Sequence, residues 1–340
     1  MPLRDTCKII INGDKELSVQ KGQVLLTSLW RHNVLIPSVC GGRGMCGACK
    51  VRIVKGAENI AMTPAEQKRL TDDERNNQFR LACQIRIDSD LAIEIPTDYL
   101  SVRRWQTRCT AIEDLTYDIK RFRFELLESA RMNFIAGHYV QLVCPPYAEG
   151  VESTTRAFSI ASNPNDNRHI ELIIRRAPNG ICTTWLFDYL KVGDTVEMTG
   201  PYGDFHLSDS DAPMIFIAGG SGMAPFVSVL HQMKNAGSTR KVQYFFGANT
   251  VQDLYLTPMM QEFEKTLSDF QFVPVVACPS PQDNWQGQTG LVTEAVKRDF
   301  TDLKGYEGYL CGSPGMIDAS IKVLLDLGLP RDKIYYDKFA

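Results

Sequence analysis

The stretch Val39-Cys40-Gly41-Gly42-Arg43-Gly44-Met45-Cys46-Gly47-Ala48-Cys49-Lys50 decides how the rest of this 340-residue chain is read. Three cysteines are interleaved with four glycines. Thiolates that converge on one point need a backbone wrapped tightly around them. Glycine permits that wrap, because it reaches positive φ and lets amides approach sulfur with no side chain in the way.

A fourth thiolate is available at Cys83, in the strand-like run Phe79–Ile87. Three cysteines in a glycine-rich loop and one distant is the ligation pattern of a [2Fe–2S] cluster. The rival is structural zinc, which usually pairs two short knuckles. Only Cys46 and Cys49 form a knuckle here, and Cys83 stands alone. A third reading leaves the cysteines unligated and buried.

Composition bounds the remainder. A chain of this length has material for two or three domains. Its 44% hydrophobic and 23% charged residues are those of a soluble globular protein. No apolar run has the length of a membrane span, and Met1-Pro2-Leu3-Arg4-Asp5 opens no signal-peptide pattern. A cytoplasmic location is expected. Ten cysteines then read as free thiols and a metal centre rather than a disulfide framework.

Charge is uneven. Residues 1–97 carry 14 Lys and Arg against 11 Asp and Glu, whereas residues 98–209 carry 12 against 15 and residues 210–340 carry 11 against 14. Arg43, Lys50 and Arg52 lie near the thiols. They form either a solvated surface with ordinary scatter or a basic docking face for an acidic protein acceptor. Nothing in the pattern points to nucleic acid.

Along the chain, Cys7–Ile11 and Glu16–Val19 read as strands around Asn12-Gly13-Asp14, and Val24–Arg31 as a short helix. Lys50–Lys55, Phe79–Ile87 and Leu91–Ile95 add strands, and Thr63 and Thr71 each start a capping box. Together these predict a small mixed sheet clasping one helix, with Pro96–Ser101 as linker. Residues 98–209 alternate in short runs at Lys120–Leu126, Tyr139–Val143, Ile170–Arg175 and Thr195–Met198, which predicts an antiparallel β-barrel. From residue 210 the rhythm is strand, glycine turn, helix, which predicts a parallel α/β sheet.

Two constellations carry chemistry. Gly219-Gly220-Ser221-Gly222-Met223-Ala224-Pro225 follows a buried strand and opens a helix, where a pyrophosphate can meet backbone amides. It departs from G-x-G-x-x-G, with Pro225 where the third glycine belongs. Arg156-Ala157-Phe158-Ser159 offers a cation, a stacking ring and a hydroxyl, and Gly180-Ile181-Cys182-Thr183 offers amides at a helix start. Taken one at a time, each could be plain sheet or turn.

In this order, with Gly137-His138-Tyr139 and Cys311-Gly312-Ser313-Pro314-Gly315-Met316, they resemble the ferredoxin–NADP reductase family. With an iron–sulfur domain in front, the whole chain resembles the reductase components of bacterial multicomponent oxygenases. That resemblance implies a β-grasp ferredoxin domain over residues 1–97, an FAD-binding antiparallel β-barrel over 98–209 and an NAD(H)-binding domain over 210–340. It further implies that Cys40, Cys46, Cys49 and Cys83 ligate the cluster. Tyr139, Arg156, Phe158, Ser159, Ile174, Gly180, Thr183 and Phe339 would hold FAD. Gly219, Gly220, Gly222, Met223, Ala224, Pro225, Gly312 and Met316 would hold the dinucleotide, with Ser159 and Cys311 at the hydride step. Two departures stand out. Phe158 replaces the family's usual tyrosine, and five residues separate Cys40 from Cys46 where plant-type clusters have four.

NADP would need a cation near the end of the second strand of the dinucleotide domain. No Lys or Arg occurs between Lys241 and Lys265, and Asp253 would repel a phosphate, so NADH is expected. The resemblance therefore implies a monomeric NADH-dependent reductase that passes electrons through FAD and [2Fe–2S] to a protein acceptor. That acceptor would be an oxygenase or hydroxylase component, with rotation of the small domain between flavin and partner as one possible route. A quinone reductase partner is the alternative, although the pump component of that kind carries a membrane helix that this sequence does not show. A redox-sensing module would instead show no hydride transfer.

Overall fold

The structure is a computed structural model that describes residues 6–56, 60–129 and 131–339. Two compact units divide the chain. One comprises Met1–Trp105, Val140–Ala157 and Glu197–Tyr202; the other comprises Gln106–Tyr139, Phe158–Val196 and Gly203–Ala340.

In the first unit, β1 (Thr6–Ile11) and β2 (Lys15–Gln20) form an antiparallel hairpin. Asn12 and Gly13 both take positive φ at its turn, as a tight right-twisted hairpin demands. β3 (Lys50–Lys55), β4 (Phe79–Leu81) and β5 (Leu91–Glu94) complete a five-stranded mixed sheet in the order β2-β1-β5-β3-β4. β1 runs parallel to β5, and β3 antiparallel to both of its neighbours. The helix Leu25–Arg31 buries Leu25, Leu26 and Leu29 on this sheet among Ile9, Val51 and Ile93. Both capping boxes form, at Thr63 with Glu66 and at Thr71 with Glu74.

The run Phe79–Ile87 is a strand only as far as Leu81. A 3₁₀ turn at Ala82–Gln84 follows. The Ala82 amide still donates to the Cys49 carbonyl at 2.8 Å, so the sheet pairing ends at the residue before Cys83. The turn then delivers the thiol.

β6 (Arg103–Asp114), β7 (Ile119–Leu126), β8 (Tyr139–Cys144), β9 (Thr154–Ser159), β10 (His169–Arg175) and β11 (Thr195–Tyr202) make a curled sheet in the order β10-β7-β6-β11-β8-β9. The β10–β7 and β6–β7 pairs are antiparallel.

The third sheet lies wholly in the second unit. Its strands are β12 (Met214–Gly219), β13 (Val242–Ala248), β14 (Phe270–Val276), β15 (Gln288–Thr289), β16 (Glu307–Gly312) and β17 (Ile334–Lys338). All pairings are parallel, in the order β15-β14-β13-β12-β16-β17. Strand order reverses between β12 and β16, so a crevice opens beyond their carboxyl ends, where ligands of open α/β sheets bind. Helices Met223–Asn235 and Thr257–Thr266 pack through Phe226, Met260 and Phe263, and helix Pro314–Asp326 packs through Ile317 and Leu324.

Candidate redox and dinucleotide sites

The cysteine loop has the backbone that its composition demands. Gly41, Gly42, Gly44 and Gly47 all adopt left-handed φ, between 68° and 84°. That curl turns the amides of Arg43, Met45 and Cys46 onto the Cys40 sulfur, and the Gly44 amide onto Cys83. The Ala48 amide donates to Cys46 Sγ at 3.4 Å. The thiols come together as two pairs. The Cys46 thiol hydrogen-bonds Cys40 and lowers its pKa, and the Cys49 thiol does the same for Cys83. Among the described residues no three such side chains converge on one ion site. Four thiolates shared between two irons need two per iron, so this donor set fits a [2Fe–2S] cluster. Cys40, Cys49 and Cys83 are buried, Cys46 is half-buried, and Met45 beside it is 53% exposed.

The basic residues near the loop are mostly neutralised. Lys50 pairs with Glu74 and Arg52 with Glu94. Arg43 has no carboxylate partner among the described residues, and its Nε donates to the Cys40 carbonyl at 2.9 Å.

Below the loop, Glu66 and Arg80 form a buried bidentate pair. Arg80 Nε reaches Glu66 Oε1 at 2.8 Å and Nη2 reaches Oε2 at 3.0 Å. Glu66 also accepts the Thr63 and Leu81 amides, so one carboxylate joins the helix start to β4, just before Cys83.

In the second unit a cavity of about 420 Å³ lies beyond the ends of β12 and β16. Gly219, Gly220, Gly312 and Met316 line it, together with Arg175, Asp253 and Phe339. Gly222 is where helix and strand touch, since a Cβ there would lie 2.2 Å from the Cys311 carbonyl oxygen. Pro225 sits in the first helical turn, where its missing N–H costs no hydrogen bond. Met223, Ala224 and Pro225 are buried, so they shape the turn and offer no side chain to a ligand.

Arg175 escaped the sequence reading because it belongs to β10, far from the glycine loop in the chain. Its Nη1 lies 3.3 Å from where a Gly220 Cβ would be, and its Nε donates to Asp118 Oδ2 at 2.6 Å. A guanidinium against a glycine turn suits a pyrophosphate. Asp253, also on the cavity lining, accepts from Tyr117 at 3.0 Å and from the Thr250 amide at 2.8 Å.

Cys311 is fully buried, and burial pushes its pKa far up, so the thiol stays neutral. β17 pairs it with Asp337, whose pKa burial raises to about 6. The Ser159 hydroxyl donates to Asp337 Oδ2 at 3.5 Å, so both residues expected at the hydride step meet at Asp337. Asp337 and Tyr139 line a second cavity, of about 310 Å³. The Phe339 amide donates to the Gly312 carbonyl at 2.9 Å. Ile174 is buried in β10. The Thr183 hydroxyl is held by its own loop, donating to Gly180 O at 3.2 Å and accepting from the Ala177 amide at 3.2 Å. A Cβ on Gly180 would lie 2.5 Å from that hydroxyl. In the first unit, Arg156 Nη1 donates to Thr155 O at 2.8 Å.

Comparison with known proteins identifies the domains. The sequence matches the 2Fe-2S iron-sulfur cluster binding domain over residues 9–88, the oxidoreductase FAD-binding domain over 106–207 and the oxidoreductase NAD-binding domain over 216–322. One component of the Na(+)-translocating NADH-quinone reductase of Pseudomonas paraeruginosa is 33% identical, across 98% of this chain and 90% of that protein. The chain is an iron–sulfur flavoprotein reductase of the ferredoxin–NADP reductase family. Among solved structures, the reductase is similar to the Amycolatopsis cytochrome P450 reductase GcoB, with TM-score 0.79 and 31% identity over 98% of this chain and 99% of that one. The ferredoxin reductase in carbazole 1,9a-dioxygenase gives TM-score 0.74 and 26% identity, with 98% of each chain covered. The reductase is therefore an oxidoreductase whose cofactors are [2Fe–2S], FAD and a nicotinamide dinucleotide. No helix among the described residues is long and apolar enough to cross a membrane.

Proposed function

We propose that the reductase takes electrons from NADH and delivers them singly to the oxygenase or hydroxylase component of a multicomponent oxygenase. The observation that carries this reading is the end-to-end likeness to GcoB, which leaves almost none of either chain unmatched. NADH gives up two electrons as hydride and a [2Fe–2S] cluster takes one, so a bound FAD supplies the exchange between pair and single. In this reading the chain has domains at 1–97, 98–209 and 210–340.

The residues divide the work. Gly219, Gly220 and Arg175 receive the dinucleotide pyrophosphate, and the anchored Asp253 disfavours a 2′-phosphate. Neutral Cys311 and Ser159 flank the place where hydride moves, and both meet Asp337 there. Cys40, Cys46, Cys49 and Cys83 hold the cluster. The exposed edge at Met45 and half-buried Cys46, with Arg43 beside it, is where the acceptor docks.

A second reading has a specific observation behind it. The component of the Na(+)-translocating quinone reductase is 33% identical, which favours a quinone-reducing assembly as the acceptor. Anaerobic titration with NADH, followed by absorption and low-temperature electron paramagnetic resonance, tests the common core. Flavin bleaching with a reduced [2Fe–2S] signal is expected; NADH that leaves the flavin oxidised would reject both readings. Turnover with purified oxygenase or quinone-reducing partners then separates them.

A further inference from the structure

The first unit holds a buried polar residue that no cofactor role uses. Gln141 lies in β8, 1% exposed, with its amide spent at both ends. Its Oε1 accepts the Ser38 amide at 3.1 Å, 103 residues away in the chain. Its nitrogen donates to the phenol of buried Tyr202 in β11. Ser38 is itself fully buried and stands two residues before Cys40. The Ser38 hydroxyl accepts the Gly42 amide at 2.8 Å, and the Ser38 carbonyl accepts the Gly41 amide at 3.1 Å. One side chain of the curled sheet thus grips the residue around which the cysteine loop is wound.

The loop is close to the sheet as a result. A Cβ on Gly41 would lie 3.1 Å from Arg156 Nη1 and 3.3 Å from the Thr155 carbonyl oxygen. Glycine, at φ 68°, suits that approach, since a side chain there would be strained and crowded. A second tether is less buried: Arg104 donates to the Trp30 carbonyl at 3.0 Å and to Glu197 at 2.7 Å.

We propose that Gln141 is a positioning residue for internal electron transfer, holding the Cys40 side of the cluster loop against the β9 backbone beside Arg156. This inference rests on the reading of the chain as a reductase with FAD near Arg156. The step it governs moves one electron, from reduced flavin to oxidised cluster, with no bond made or broken. Hydride from NADH supplies the electron pair. Separation and orientation, together with the potentials of the two centres, set the rate of such a step, and a loop fixed by buried hydrogen bonds fixes the separation and orientation. A buried amide with both ends bonded also resists loosening, because an unbonded one costs free energy.

Gln141→Met keeps side-chain length and removes both hydrogen bonds. Stopped-flow mixing with NADH should show flavin reduction at the wild-type rate, with iron and flavin content retained. Cluster reduction should slow by about 10- to 100-fold, the scale on which small misplacements of reacting centres act. Hydrogen exchange at the Ser38 and Gly42 amides should quicken in the same variant, a readout independent of turnover. Faster exchange with cluster reduction at the wild-type rate overturns the proposal, since Gln141 would then only satisfy buried groups. If Gln141→Met does not fold, the wild-type amides decide. Ser38 protected as well as the β8 amides is expected, and exchange at the rate of an open loop overturns the proposal. A wild-type cluster that NADH never reduces rejects the reductase reading itself, whatever the variant does.

Discussion

Tyr117 donates a 3.0 Å hydrogen bond to Asp253 from 136 residues away, fixing a carboxylate at the rim of the dinucleotide cavity. The other oxygen of Asp253 accepts from the amide and the hydroxyl of Thr250, at 2.8 and 2.9 Å. A carboxylate held by three donors cannot swing away from an incoming phosphate.

Cofactor choice should follow from that. Asp253→Asn removes the charge and keeps an acceptor for Tyr117. Steady-state kinetics should show kcat/KM for NADPH rising about tenfold relative to NADH, the size of one partly screened charge repulsion. An unchanged ratio would move the discrimination elsewhere in the cavity.

The Glu66–Arg80 pair gives a stability prediction. The two side chains are 0% and 6% exposed. Removing Arg80 strands a buried carboxylate that also serves the Thr63 and Leu81 amides. Arg80→Met should cost about 3–5 kcal/mol, the usual loss on breaking a buried ion pair. Denaturant unfolding followed by cluster absorbance would register it, and a loss below about 1 kcal/mol would show the pair to be replaceable.

Glu307 sets an acid limit on the second unit. Burial pushes its pKa up, but hydrogen bonds from Ser208, Arg240, Ser210 and Tyr309 outweigh burial and hold it at about 2, against an ordinary 4.5. A depressed carboxylate pKa stabilises the fold above the unfolded value, and that contribution is lost as pH falls through the folded one. The expected window therefore runs from pH 4.5 down to about 2. The amount is on the order of 3 kcal/mol. Glu307→Gln should lower stability at pH 7 and flatten the pH dependence in that window; tryptophan-fluorescence melts that keep the wild-type slope there would refute the assignment.

The paired thiols predict how the cluster is lost. Cys83→Ser leaves Cys49 without its partner. Most iron should disappear by elemental analysis while flavin content persists, and full retention of iron would remove Cys83 from the ligand set.

Much of this was legible in the chain because it is local. The hairpin at Asn12-Gly13, both capping boxes, the helix after Gly222 and the left-handed glycines of the cysteine loop depend on residues a few positions apart. The parallel sheet was legible too, since strands buried on both faces are written as continuous apolar runs. Cys83 was identified as a donor but assigned to a strand. Its 3₁₀ turn is imposed by the end of pairing with β3, which Phe79–Ile87 does not encode.

The sequence by itself determined which groups this protein can hold: four thiols with glycines to curl them, a glycine turn before a helix, and the order of the family motifs. Only the tertiary structure decided what stands around those groups. Arg175 reaches the glycine turn from another sheet, Asp337 meets Ser159 across 178 residues, and Gln141 grips Ser38 across 103. Local backbone preference is written residue by residue, whereas a hydrogen bond between distant side chains exists only once the sheets between them have formed. Such partners carry no periodic signal, so folding alone brings them into view.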